Sequence, residues 1–174
     1  MNTYINLEYL KKQLFRLNMN FCTYVSPLGL LKVSTQNNFL TCIQFHTQEK
    51  PTLPNTTLLV EICHQLDEYF SLRRKIFHLP IQLNGTQFQI KVWKALQSVP
   101  YGQTQSYKFI AEKINNPKAV RAVGQAIHRN HIPIIIPCHR IIGSNGSLVG
   151  FADGLEVKEY LLRLENALPS SSKA

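Results

Sequence analysis

The sequence predicts an α+β fold, with a strand-rich first half and a mainly helical second half that meet near Asn84-Gly85. Three observations predict it. Residues 21–45 hold three short runs rich in β-branched and aromatic residues, separated by turn residues. Thr86 followed by Gln89 is a capping-box pattern that opens a stretch with apolar residues at helical spacing. Positive charge gathers in that second half and thins out elsewhere.

Taken in order, residues 4–17 place Ile5, Leu10, Leu14 and Leu17 at a spacing compatible with a helix. Phe21–Val25, Leu30–Thr35 and Phe39–Phe45 read as strands of an antiparallel meander, with turns at Ser26-Pro27-Leu28-Gly29 and Gln36-Asn37-Asn38. Lys50–Asn55 is a loop, and an amphipathic helix bearing Cys63 follows. After the Thr86 cap, Phe88, Val92, Leu96 and Val99 share one helical face, and Trp93 reads as core. Pro100-Tyr101-Gly102 ends that helix, and Ser106 caps a second one through Ile114. Asn116-Pro117 reads as a cap with proline at the first helical position, starting a third helix with Val120, Val123, Ala126 and Ile127 on one side. These paired short helices fit a helix-turn-helix. Gly124 interrupts the third, at about 1 kcal/mol against Ala, so close approach of a backbone or of DNA should compensate. The run between Pro133 and Pro137 is expected to be extended and buried. The last helix spans Leu155 to Leu164, with Leu155, Tyr160, Leu161 and Leu164 on its apolar side, and Pro169–Ala174 forms a tail. Two domains are expected, residues 1–84 and 85–174.

Composition narrows the function. Charged residues make up 17% of the 174, too few for a disordered polyelectrolyte. There is no run long enough to span a membrane and no signal-peptide pattern after Met1, so a soluble, cytoplasmic protein is expected, nuclear if the source is eukaryotic. Cys22, Cys42, Cys63 and Cys138 form no C-x-x-C pair and no disulfide framework for such a chain. Residues 81–150 carry eight Lys/Arg against one carboxylate, Glu112, while residues 1–80 carry eight against five. A surface of that sign suits a phosphate polyanion.

The chemistry concentrates at Pro137-Cys138-His139-Arg140. A thiol attacks as thiolate, and a neighbouring base is the usual means of making one at neutral pH. Successive side chains of an extended segment point apart, so a water relay between Cys138 and His139 is the economical arrangement. His139 then needs a carboxylate to fix its tautomer, and Glu165 is the candidate. Cys63-His64 is a second Cys-His dipeptide, but it sits in an amphipathic helix and reads as packing.

The stretch from Asn130 through the Pro-Cys-His-Arg motif to Gly146, with Glu165 downstream, resembles the active-site signature of the O6-alkylguanine-DNA alkyltransferases. Val92-Trp93-Lys94-Ala95-Leu96, Val99-Pro100-Tyr101-Gly102, Ser106-Tyr107 and Asn116–Gly124 extend the resemblance in the family's order. It implies a ribonuclease H-like first domain and a DNA-binding second domain. It also implies single-turnover transfer of an alkyl group from O6-alkylguanine, and O4-alkylthymine, to Cys138, without metal or organic cofactor. His139 is then the water-mediated base, Glu165 its orienting group, and Asn130 the residue that ties the preceding turn to the active-site strand. Tyr107 should contact a flipped guanine and crowd the neighbouring phosphate, and Arg121 should fill the vacated place from the minor groove. Ser106, Ala122 and Gly124 belong to the same implied DNA surface. The Cys138 and Ile141 carbonyls should accept from the base amine, and the Ala152 N–H should approach O6. The partner implied is double-stranded DNA, bound by a monomer, with cooperative assembly along the strand left open.

The chain departs from the family at Asp153, where a second glycine is usual beside the alkyl pocket. A carboxylate there should slow bulky benzyl adducts relative to methyl. Cys22, Cys42, Cys63, His46, His64 and His78 do not reproduce the zinc ligands of some members, so no structural zinc is expected. Two rivals remain. One is an alkyltransferase-like module that binds damage without transfer, against which Cys138 argues. The other is a cysteine hydrolase, which would need an oxyanion hole.

Overall fold

The computed structural model describes residues 19–168. The helix expected over residues 4–17 and the tail expected from Pro169 lie outside the described residues.

The first half opens with the meander: β1 (Met19–Ser26), β2 (Gly29–Gln36) and β3 (Phe39–Gln44), antiparallel in that order. The second hairpin closes over Asn37 and Asn38, whose φ angles of 49° and 61° make the mirror-type turn that matches strand twist. α1 (Thr57–Phe70) begins where the Thr56 hydroxyl accepts the Leu59 N–H at 3.2 Å. Leu59, Ile62, Leu66 and Tyr69 recur on one face and are wholly buried. Removing each such aliphatic chain from water contributes about 1.5–3 kcal/mol. A connecting segment returns to β3, where the Leu40 N–H donates to Pro80 at 2.8 Å and its carbonyl accepts from Gln82 at 3.0 Å.

The second half starts with α2 (Gln87–Leu96), and both bonds of the Thr86–Gln89 capping box form. The helix stops at Leu96, so Val99 is buried from the following turn rather than from the helix. Trp93 is core, with its indole N–H on the Ala126 carbonyl at 2.8 Å. α3 (Tyr107–Lys113) is capped by Ser106, whose hydroxyl accepts the Phe109 N–H at 3.1 Å. α4 begins later than expected, at Val120, and runs to His128. Its cap position is Ala119, without a side-chain bond, because Asn116 instead opens a turn through its backbone carbonyl, which accepts the Ala119 N–H. Two very short strands that the sequence does not announce, β4 (Gln105–Ser106) and β5 (Ile141–Ile142), pair in parallel. α5 (Leu155–Leu164) has the expected bounds but a rotated buried face: Leu155 is exposed, and Val157, Lys158, Leu161 and Leu162 are buried.

Candidate active site

The site lies where three pieces of chain converge: the turn after α4, the segment after α5, and α1 of the first half. The run from Ile132 to Ile136 is coiled, not extended. The Ile136 N–H donates back to Ile132 at 2.9 Å, and Ile134 takes φ 72°. The flanking prolines deny the segment the donors of a ladder, and the Asn130 side chain organises it instead. Asn130 Oδ1 accepts the Ile132 N–H at 3.0 Å, and its Nδ2 donates to the Ile136 carbonyl at 2.9 Å and to Cys138 Sγ at 3.1 Å. Pro137, at φ −79° and ψ 63°, makes an inverse γ-turn in which the Cys138 N–H reaches Ile136 at 2.7 Å. Cys138, His139 and Arg140 then form a single 3-10 turn. The expected active-site strand is therefore a pair of tight turns held by one amide.

Cys138 is 5% exposed. Burial pushes its thiol up to about 11, the Asn130 hydrogen bond and the Lys158 charge pull it down, and the Asp153 charge pushes it up. No hydrogen bond joins Cys138 to His139 among the described residues. His139 Nε2 instead meets Glu165 Oε1 at 2.9 Å, and the fully buried Nδ1 has no protein partner. Burial holds His139 below its ordinary value, against the pull of Glu165. A neutral ring facing a carboxylate carries its proton on Nε2, which leaves the Nδ1 lone pair as the free base.

Glu165 follows the last turn of α5 and is itself buried. Arg140 Nε donates to Oε2 at 2.8 Å and Nη2 to Oε1 at 3.0 Å. Tyr69 donates its hydroxyl at 2.7 Å, and the Gly102 N–H reaches Oε2 at 3.2 Å. Burial alone would raise this carboxyl, but hydrogen bonds and charge from His139 and Arg140 bring it down to about 2. With His139 neutral, Arg140 is the standing countercharge.

Tyr69, Gly102, Arg140 and Lys158 complete the site without having been singled out. Lys158 Nζ donates to the Ile141 carbonyl and, at 2.7 Å, to that of Val149. Burial brings it down to about 8. A signal for it was present: Lys158, Leu161 and Leu162 on α5 and Glu165 just after it recur at helical spacing. The Ile141 carbonyl expected to meet a base amine thus already accepts from an ammonium. For Tyr69 there was no signal, since it lies 96 residues from Glu165.

Tyr107 stands over the loop before α5, its hydroxyl donating to the Val149 carbonyl at 3.0 Å. It lines a cleft of about 390 Å³ with Gly124, Gln125, His128, Val149 and Gly150. Ala152 and Asp153 line a neighbouring cavity of about 420 Å³ with Asn130, Pro133 and His128. Burial raises the Asp153 carboxyl, opposed by His46 and His128. Arg121 and Ala122 are exposed on α4, and Ser106 serves as the cap of α3. A Cβ on Gly124 would come no nearer than 3.8 Å, to the Tyr107 ring, so no protein backbone crowds it.

A thiol so shielded, backed by a neutral imidazole with a free nitrogen, suits a protein that takes one group onto sulfur. Comparison with known proteins gives that class its family. Residues 19–83 match the ribonuclease-like domain of 6-O-methylguanine DNA methyltransferase, and residues 87–167 match its DNA binding domain. A methylated-DNA–protein-cysteine methyltransferase of Methanosarcina acetivorans is 41% identical over 155 residues, covering 86% of this chain and 99% of the relative. The constitutive one of Bacillus subtilis is 45% identical over 159 residues, covering 84% and 96%. Among solved structures, the O6-methylguanine methyltransferase of Mycobacterium tuberculosis superposes with TM-score 0.77 at 37% identity, covering 88% of this chain and 96% of that one. A structure of Mycobacterium tuberculosis OGT in complex with DNA gives 0.77 at 40% identity, covering 84% and 92%. The chain belongs to the 6-O-methylguanine DNA methyltransferase family.

Proposed function

We propose that this protein repairs alkylated DNA by direct reversal, moving a methyl or larger alkyl group from O6 of guanine, or O4 of thymine, to Cys138 Sγ. The observation that carries the chemistry is the His139 Nε2–Glu165 Oε1 contact with the buried Nδ1 left unpartnered, an arrangement that suits a ring protonated on Nε2 and accepting at Nδ1. A water between Sγ and Nδ1 passes the thiol proton to the ring, which becomes an imidazolium stabilised by Glu165. Sulfur attacks the alkyl carbon, the carbon–oxygen bond breaks, and the base leaves as an anion that takes up a proton given back by the imidazolium. The resulting thioether has no good leaving group, so each molecule reacts once.

The alkylated oxygen is a base-edge atom within a duplex, out of reach of a buried thiol. The nucleotide must be turned out, which costs a few kcal/mol and least for a damaged pair. Arg121, exposed on α4, is the side chain that enters from the minor groove and holds the gap. Tyr107 contacts the flipped base, and Ser106, Ala122 and Gly124 lie along the duplex. The Cys138 and Ile141 carbonyls, the Ala152 N–H and Asp153 surround the base and its adduct. Residues 85–174 carry this work and residues 1–84 support it through Tyr69. The protein acts as a monomer.

Intact-protein mass spectrometry after incubation with duplex DNA carrying O6-methylguanine tests the reading. One methyl group gained per chain, mapped to Cys138 and absent in Cys138→Ala, is the expected result. Tight binding without any gain in mass would mean a damage-binding module, and continued turnover would mean a hydrolase.

A further inference from the structure

We propose that Cys22 and Cys63 form a second thiol site, an oxidisable pair that closes to an intrachain disulfide when the protein meets a hydroperoxide. Their sulfurs lie 3.6 Å apart, in contact across the seam between β1 and α1. Alkyl transfer uses neither. Both belong to regular elements: Cys22 pairs with Val33 in the meander, and Cys63 sits in the middle of α1. The same seam is already pinned one helical turn on, where the Tyr24 hydroxyl donates to Asp67 at 2.8 Å. A disulfide needs sulfurs about 2 Å apart. Rotation of the two short side chains is the approach that closure requires.

Access is divided between the two. Cys22 is wholly buried and Cys63 half-buried, so the oxidant reaches Cys63 first. The Cys63 sulfur takes one oxygen from the hydroperoxide to become a sulfenic acid, the O–O bond breaks, and the remainder leaves as an alcohol, or as water when the oxidant is hydrogen peroxide. Cys22 sulfur then attacks the Cys63 sulfur, the sulfur–oxygen bond breaks, and a water carries away the Cys22 proton. Cys22, whose sulfur faces Cys63 at 3.6 Å, is the thiol in place to attack. Cys138 is 5% exposed, so it is the less accessible target. The cross-link fixes α1, the helix whose Tyr69 donates to Glu165, and leaves the acceptor sulfur untouched.

The test treats the full chain with dilute hydrogen peroxide, caps remaining thiols with N-ethylmaleimide under denaturing conditions, and digests without reduction. The expected product has lost the mass of two hydrogen atoms and yields a peptide joining Cys22 to Cys63. It melts roughly 5 °C higher or more, reverts with dithiothreitol, and still gains one methyl on O6-methylguanine DNA. Cys63→Ser, at a half-buried position that tolerates the change better than Cys22, should lose the cross-link. Capping of both Cys22 and Cys63 after Cys138 has already been oxidised would overturn the proposal. So would a cross-link to Cys42, or one that persists in Cys63→Ser.

Discussion

Glu165 receives five hydrogen bonds from four residues: Tyr69, Gly102, His139 and Arg140. Replacing it with Gln keeps the shape and removes the charge, which leaves the buried Arg140 guanidinium uncompensated. Breaking a buried pair in this way costs about 3–5 kcal/mol. Glu165→Gln should therefore lower the urea midpoint strongly, and in the surviving folded fraction slow methyl transfer, because the His139 tautomer is no longer imposed. An unchanged midpoint would show that Arg140 finds another partner. Asp153 poses a narrower question. Its half-buried carboxylate lines the cavity beside Asn130, so benzyl adducts should react more slowly than methyl, and Asp153→Gly should shrink the difference. Equal rates for both adducts, unchanged by the substitution, would falsify the steric role. The His139–Glu165 pairing was legible because the motif and the downstream glutamate sit at the spacing of the resemblance, and the two side chains meet at 2.9 Å. Arg140 was visible only as a charge, since nothing in a sequence tells a buried guanidinium from a solvated one.

At the scale of elements, caps and turns were the most legible features. Thr86, Ser106 and the Asn37-Asn38 turn act through bonds to groups two or three residues away, so local sequence contains all the partners. Segments governed by distant partners read poorly. The Ile132–Ile136 run has the composition of a strand, yet Asn130 folds it into turns; β4 and β5 exist only because the chain returns beside itself. α4 offers a test of what its glycine is for. With a Cβ meeting only ordinary contact at 3.8 Å, Gly124→Ala should stabilise the free protein by up to about 1 kcal/mol through helix propensity. If the glycine serves close approach of a phosphate backbone, the same substitution should weaken binding to duplex DNA. Thermal melts with fluorescence-anisotropy titrations separate the two effects. Tighter DNA binding in the variant would remove Gly124 from the interface.

Across the whole molecule, acid should act in two steps. Burial depresses His139, so the unfolded chain takes up a proton below about pH 6.5 before the folded one does, and stability is lost as pH falls through that region. Glu165, held at about 2, contributes stability that is present above the ordinary carboxylate value and is lost as pH falls toward 2. Melting temperature measured from pH 8 to pH 2 should show both declines. His139→Asn should flatten the upper one and, because His139 helps hold Glu165 down, move the lower one toward higher pH. A wild-type profile flat between pH 7 and 5 would mean that His139 is not buried as a neutral ring. The Tyr69–Glu165 bond joins the two halves of the chain, and its consequence concerns timing. Glu165 is synthesised after every group it binds. A nascent chain therefore contains Cys138 and His139 before the carboxylate that pairs with the imidazole has been made. Competence for the transfer proposed above thus waits on the last of these groups, and the folding of α5 against the His139 turn is the step that supplies it.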